Sequence, residues 1–162
     1  MSLNEEVEIL RRVPLFARIE PSKLKLIAFT SERMTFEKDE VLFRQGDMGD
    51  AAYIVLQGDA DVLVNSQQGQ IRVAGLGQND IVGEIAILID VPRTATVRAC
   101  SRLVTLRITK ELFFRLITEF PQIAVEIMRE LAIRLEKTTG DLRDAVTRNA
   151  SAQQPAGAGQ ER

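Results

Sequence analysis

VLFRQGDMGDAAYIVLQGDADVLV, residues 41–64, holds three short apolar runs: Val41-Leu42-Phe43, Tyr53-Ile54-Val55-Leu56 and Val62-Leu63-Val64. Between them stand Gln45-Gly46-Asp47 and Gln57-Gly58-Asp59, residue types that supply positive φ and side-chain-to-backbone hydrogen bonds in tight turns. Runs this short, with turns this regular, predict strands; a helix needs a longer stretch of 3.6-residue periodicity. The texture continues through the turn clusters Gln67-Gln68-Gly69-Gln70 and Gly75-Leu76-Gly77-Gln78-Asn79-Asp80. It ends on a strand over 103–108 that turns Val104, Leu106 and Ile108 to one face and Thr105 and Arg107 to the other. Residues 33–108 therefore read as an all-β unit: a sandwich, jelly roll or barrel.

Helices flank it on both sides. Leu3, Val7 and Leu10 share one helical face before Val13-Pro14-Leu15-Phe16 closes the segment, and Pro21-Ser22-Lys23-Leu24 opens a second helix with Leu24, Ile27 and Ala28 inward. Beyond the strands, Thr109 is placed to cap ELFFRLITEF, which Pro121 stops. Ile123, Ile127, Leu131 and Leu135 then recur at four-residue spacing, with Met128 and Leu142 extending the apolar stripe and Gly140 expected to fray or bend it. The tail from Ala150 has almost no large apolar residues and is expected to be disordered. The chain thus divides into an N-terminal helical segment (1–32), the β unit (33–108), C-terminal helices (109–149) and a tail (150–162), an α+β arrangement that is mainly β.

Composition excludes several function classes. The 162 residues are 45% hydrophobic and 27% charged, with 21 basic and 23 acidic side chains and a net charge of -2, so no basic face advertises a phosphate backbone. There is no histidine, which removes Ser-His-Asp and Cys-His catalysis and most zinc, iron and copper sites. Cys100 is the sole cysteine and reads as a structural thiol. The segment 75–80 lacks the third glycine of a dinucleotide fingerprint, and Asp47-Met48-Gly49-Asp50 lacks calcium-loop spacing. No catalytic group, metal or cofactor is expected. The N-terminus has no signal-peptide pattern and no apolar run is long enough to span a bilayer, so the expected location is the cytoplasm.

One stretch resists a purely structural account. VGEIAILIDVPRTATV, residues 82–97, sets Glu84 and Arg93 nine positions apart in an otherwise apolar segment. Gly83 allows close backbone approach, residues 85 to 88 suit one helical turn whose free amides attract an anion, and an inward guanidinium requires a carboxylate or a phosphate. Two readings follow. Glu84 and Arg93 pair as a buried salt bridge, or Arg93, the turn amides and the Thr94 hydroxyl hold one phosphate while Glu84 accepts from a hydroxyl.

The same stretch resembles the phosphate-binding cassette of the cyclic-nucleotide-binding domain family, the family of catabolite activator-like and protein kinase A regulatory subunit-like proteins. Gly83, Glu84, Ala86, Leu88, Pro92, Arg93, Thr94, Ala95, Thr96 and Val97 match its pattern with the Glu-to-Arg spacing intact, and Gly46, Asp47, Gly49, Asp50, Tyr53, Ile54 and Gly58 resemble its glycine-punctuated strands. The similarity spans residues 10–137. It implies an eight-stranded β-roll or jelly roll with N-terminal helices and C-terminal lid helices. By position it also implies a ligand site of Gly83, Glu84, Ile85, Ala86, Arg93, Thr94 and Ala95. Arg93 would neutralise the cyclic phosphate, Glu84 would accept from the ribose 2′-hydroxyl, and amides around Ile85 and Ala86 would complete the cradle. Leu131, Arg134 and Leu135 are candidate lid contacts. The implied ligand is cyclic AMP or cyclic GMP, with the lean to cyclic AMP; the implied partners are a protein effector or a homodimer.

The leading expectation is a regulatory, non-enzymatic sensor that signals through its C-terminal helix. A transcription factor needs a DNA-binding unit, and the residues after Gly140 do not make one, so no direct DNA contact and no membrane segment is expected in this chain. The alternatives are a fragment of a larger cyclic-nucleotide-regulated channel, transporter or transcription factor, and an orphan β-roll interaction module that has lost ligand binding.

Overall fold

The computed structural model describes residues 2–153. Two helices, α1 (Leu3–Arg12) and α2 (Pro21–Thr30), joined by a 3-10 turn at Pro14–Phe16, precede the strands. Ser2 and Glu5 form a reciprocal capping box at the start of α1, each side chain taking the other's backbone N–H. Eight strands follow: β1 (Glu32–Phe36), β2 (Val41–Phe43), β3 (Ala51–Gln57), β4 (Ala60–Ser66), β5 (Gly69–Leu76), β6 (Ile81–Val82), β7 (Thr96–Ala99) and β8 (Leu103–Thr109). A short helix, α3 (Glu84–Ile89), interrupts them after β6, and α4 (Lys110–Glu119) and α5 (Pro121–Gln153) complete the described chain.

The strands form two four-stranded sheets with antiparallel pairings, ordered β1-β8-β3-β6 and β2-β7-β4-β5, which is the expected β-roll. The sheet containing β3 and β8 is buried on both faces, which explains why residues 51–56 lack polar alternation. Ala52, Ile54, Leu56, Leu106 and Ile108 face the helices and join Leu10, Phe16, Leu24, Ile27, Leu116, Ile123 and Ile127 in one apolar cluster. Tyr53, Val55 and Leu103 face the interior of the roll with Phe36, Ala60, Val97 and Ala99. Thr105, fully buried on that inner side, satisfies its hydroxyl by donating to the Met34 carbonyl at 3.1 Å. Gly58 makes the β3-to-β4 turn at φ 91°, with the Arg102 carbonyl oxygen only 2.2 Å from where a Cβ would stand.

Three expectations about the C-terminal region meet the structure here. Thr109 caps α4, accepting from the Leu112 amide at 3.1 Å, and Pro121 starts α5. Gly140 does not fray α5, a continuous helix of 33 residues; one glycine costs a helix interior about 1 kcal/mol. Residues 150–153, expected to be disordered, are the last turn of that helix, while the rest of that expectation, 154–162, lies outside the described residues. Of the expected turn cluster 75–80, Gly75 and Leu76 are the last residues of β5, paired with Asp61 and Ala60, and only residues 77–80 turn into β6, closed by the Gly77 amide donating to the Asp80 carboxylate at 2.9 Å. Among the described residues no helix is long and apolar enough to cross a membrane.

Candidate functional site

The site is built where β6 ends. Gly83, at φ 89°, is the N-cap of α3, a left-handed position that a Cβ disfavours, and Asp90, at φ 54°, ends the helix seven residues later. The Asp90 carboxylate pairs with Lys110 at the start of α4, which ties the far end of α3 to the C-terminal helices. The first-turn amides of α3 have no side-chain cap. Beyond Asp90 the chain returns along the roll, and the backbone of Arg93 is clamped between Asp47 and Gly46: its N–H donates to the Asp47 carbonyl at 2.7 Å and its carbonyl accepts from the Gly46 amide at 2.9 Å. The upstream glycine-punctuated loop is thereby the scaffold of the arginine, which is why the two motifs occur together.

Arg93 is 5% exposed. Its guanidinium donates through Nη1 to the Gly83 carbonyl at 2.9 Å and through Nη2 to the Ala51 carbonyl at 2.7 Å, and it lies 4.0 Å from the Phe43 ring centroid. Nε is buried and has no hydrogen-bond partner. Burial holds the Arg93 pKa below its ordinary value, with Tyr53, Asp50 and Asp47 acting weakly the other way. A guanidinium has no neutral form within reach of physiological pH, so the charge persists in a place that disfavours it. Glu84 does not compensate it. The Glu84 Oε1 atom accepts instead from Nη1 of Arg134, on α5, at 3.1 Å, and its side chain is 13% exposed. The simpler reading of the sequence, a salt bridge between Glu84 and Arg93, is not the one the structure adopts.

Gly83, Glu84, Ile85, Ala86, Arg93, Thr94 and Ala95 all line one cavity, so the structure brings together every residue of the expected ligand site. Of the three lid candidates, Arg134 reaches it; Leu131 packs against the helical core, and Leu135 is 67% exposed. Leu135 is a lid candidate only by the family resemblance, which carries no motif for it. The helix leaves the body of the roll before that turn, so Leu135 covers nothing there. Sequence reasoning missed Phe43, Val62, Val82 and Val97, which form the apolar wall of the cavity. Each sits in a strand where an inward apolar side chain has an ordinary packing role, and no motif separates wall from core. Gly49 was noted only as a turn residue. A Cβ there would stand 2.5 Å from the Ala86 Cβ and 2.8 Å from the Arg93 Cζ, so this glycine makes room for the guanidinium.

Comparison with known proteins bears on this geometry. The family described as cyclic nucleotide-binding domain matches residues 33–120. A cAMP-dependent protein kinase regulatory subunit from Mycosarcoma maydis is 32% identical over 149 residues, 90% of this chain and 27% of that protein. A CRP-like cAMP-activated global transcriptional regulator from Mycobacterium tuberculosis is 26% identical over 140 residues, 86% of this chain and 62% of that one. Among solved structures, the regulatory domain of Toxoplasma gondii PKA with cAMP superposes with a TM-score of 0.67 at 26% identity, covering 70% of this chain and 44% of the other. The chain therefore spans about a quarter of the kinase subunit and under two thirds of the regulator.

Proposed function

The chain belongs to the cyclic nucleotide-binding domain family, and from that premise we propose that it is a regulatory module that binds a cyclic nucleotide, cyclic AMP in preference to cyclic GMP, in the cavity between Glu84 and Arg93. The observation that carries the reading is the state of Arg93: a guanidinium 5% exposed, neutralised by no carboxylate among the described residues, with a buried and unpartnered Nε. A buried cation of this kind is strongly disfavoured unless an anion completes it. The two carbonyl contacts fix the plane of the guanidinium, and Nε and the free Nη hydrogens remain for the oxygens of a cyclic phosphate. Ile85, Ala86 and Thr94 line the same cavity, and their amides and hydroxyl would serve as further donors.

Glu84 supplies the second end. Arg134 occupies Oε1, which leaves Oε2 to accept from a ribose 2′-hydroxyl. Because that carboxylate is shared with α5, a ligand that engages it changes the contact holding α5 to the roll, and this is the route by which occupancy would reach an effector. Two of the relatives are described as a protein kinase regulatory subunit and a transcriptional regulator, which supports a binding rather than a catalytic role.

Titration calorimetry with cyclic AMP and cyclic GMP, side by side, tests the proposal. The native chain binds cyclic AMP more tightly, and Arg93→Ala lowers that affinity by at least tenfold while leaving far-ultraviolet circular dichroism unchanged. Truncating one partner of a desolvated charge contact costs about 2–5 kcal/mol, which sets the scale of the loss. Equal affinity in native and variant chains would sink the assignment of the phosphate to Arg93.

A further inference from the structure

A second recess, of about 150 Å³, opens where the segment between the 3-10 turn and α2 meets the start of α5. It is lined by the buried Ile19 and Ile123 and by four charged side chains, Arg18, Glu20, Lys23 and Glu126. None of these residues belongs to the cavity at Arg93. An apolar lining with a few polar groups is the ordinary composition of a small-molecule site.

Two of the charges are incompletely matched within the chain. The Glu126 Oε2 atom is buried and accepts no hydrogen bond. Its ion pair with Nε of Arg18 is 3.8 Å long, beyond hydrogen-bond reach, and the Arg18 side chain is 54% exposed, so water screens that cation. Lys23 is the converse. Its ammonium lies 5.2 Å from the Phe120 ring centroid, a cation–π contact, and 3.6 Å from Glu20 Oε2, again too long for a hydrogen bond. An acceptor without a donor and a donor without an acceptor thus line one recess. A buried oxygen left in this state is costly until a donor reaches it. Helices α2 and α5 both start here, at Pro21 and Pro121, with no acidic residue in the first turn of either, so their amide ends favour the anionic half of a ligand.

We propose that this recess binds a small aliphatic α-amino acid, whose ammonium donates to Glu126, whose carboxylate accepts from Lys23 and whose side chain packs on Ile19 and Ile123. The four charged side chains comprise two of each sign, which suits a zwitterion. A free amine satisfies Glu126 but brings Lys23 another positive neighbour. A free carboxylate satisfies Lys23 but leaves Glu126 unmatched beside a second anion. The volume lies below the range of drug-sized pockets, so the ligand's own side chain is short.

Nuclear magnetic resonance titration of the isotope-labelled full chain, without nucleotide, tests the site. The probes are L-alanine and L-valine, with ethylamine and propionate as matched compounds that each lack one charge. At millimolar concentration either amino acid shifts the backbone amides of residues 18–23 and 122–126 saturably, and ethylamine and propionate bind at least tenfold more weakly. Glu126→Gln and Lys23→Gln each lower the amino-acid affinity about tenfold, the scale of one charge-assisted hydrogen bond, with circular dichroism unchanged. The absence of a saturable shift with either amino acid at tens of millimolar, the result for a recess that holds water alone, overturns the proposal. So does propionate binding as tightly as L-alanine, which marks an adventitious anion on Lys23, and so does an affinity that Glu126→Gln leaves unchanged. Every readout is independent of whether the cavity at Arg93 takes a cyclic nucleotide.

Discussion

Arg93 holds a permanent charge in a place built from carbonyl oxygens, an aromatic face and a glycine. Gly83 and Ala51 accept from its Nη atoms, Phe43 covers its plane, and Gly49 leaves the volume that the guanidinium fills. The role of Gly49 is steric, since any side chain there must overlap Ala86 or Arg93. Gly49→Val is therefore expected to displace the guanidinium and lower cyclic-nucleotide affinity at least tenfold, with the roll still folded; calorimetry and circular dichroism on one sample check both halves. Desolvation by burial outweighs the opposing influence of Tyr53, Asp50 and Asp47 and holds the Arg93 pKa below its ordinary value. Residue types and spacing alone left both readings open.

At the scale of elements, α3 is a six-residue helix fastened at both ends to the helices that follow the roll. Glu84 at its start bonds Arg134 of α5, and Asp90 at its end pairs with Lys110 of α4. The second pair is solvent-exposed and worth at most about 1 kcal/mol. The first is better shielded and touches the proposed ligand, so it is the stronger candidate for coupling the site to α5. In hydrogen-exchange measurements, cyclic AMP is expected to raise protection across residues 123–134 of the native chain and to do so much less in Arg134→Ala. Equal gains in both chains would assign the coupling elsewhere.

For the whole molecule, stability rests on two apolar clusters that share β3 and β8 as a common wall. Ile54 is fully buried on the helical side of that wall and pairs in register with Leu106. Ile54→Ala is expected to cost about 2–5 kcal/mol, because a rigid sheet between two packed layers collapses poorly around a cavity. Thermal unfolding should show the loss as a lowered midpoint, with nucleotide raising the midpoint of native and variant alike. The β character of residues 33–108, the helices on either side and the composition of the cassette were legible in the sequence, since strand spacing, helical periodicity and capping residues are local properties of the chain. The continuation of α5 through Gly140 to Gln153 was not, because a helix absorbs one glycine when its other residues favour the state. The partners of Glu84 and Arg93 were not legible either. They depend on which backbone carbonyls and which turn of a distant helix arrive beside them, and Ala51 and Arg134 lie 42 and 50 residues away along the chain. Sequence determined that a cation and a carboxylate would flank a glycine-capped turn; tertiary structure decided that they would not satisfy each other, because packing gave each a different neighbour.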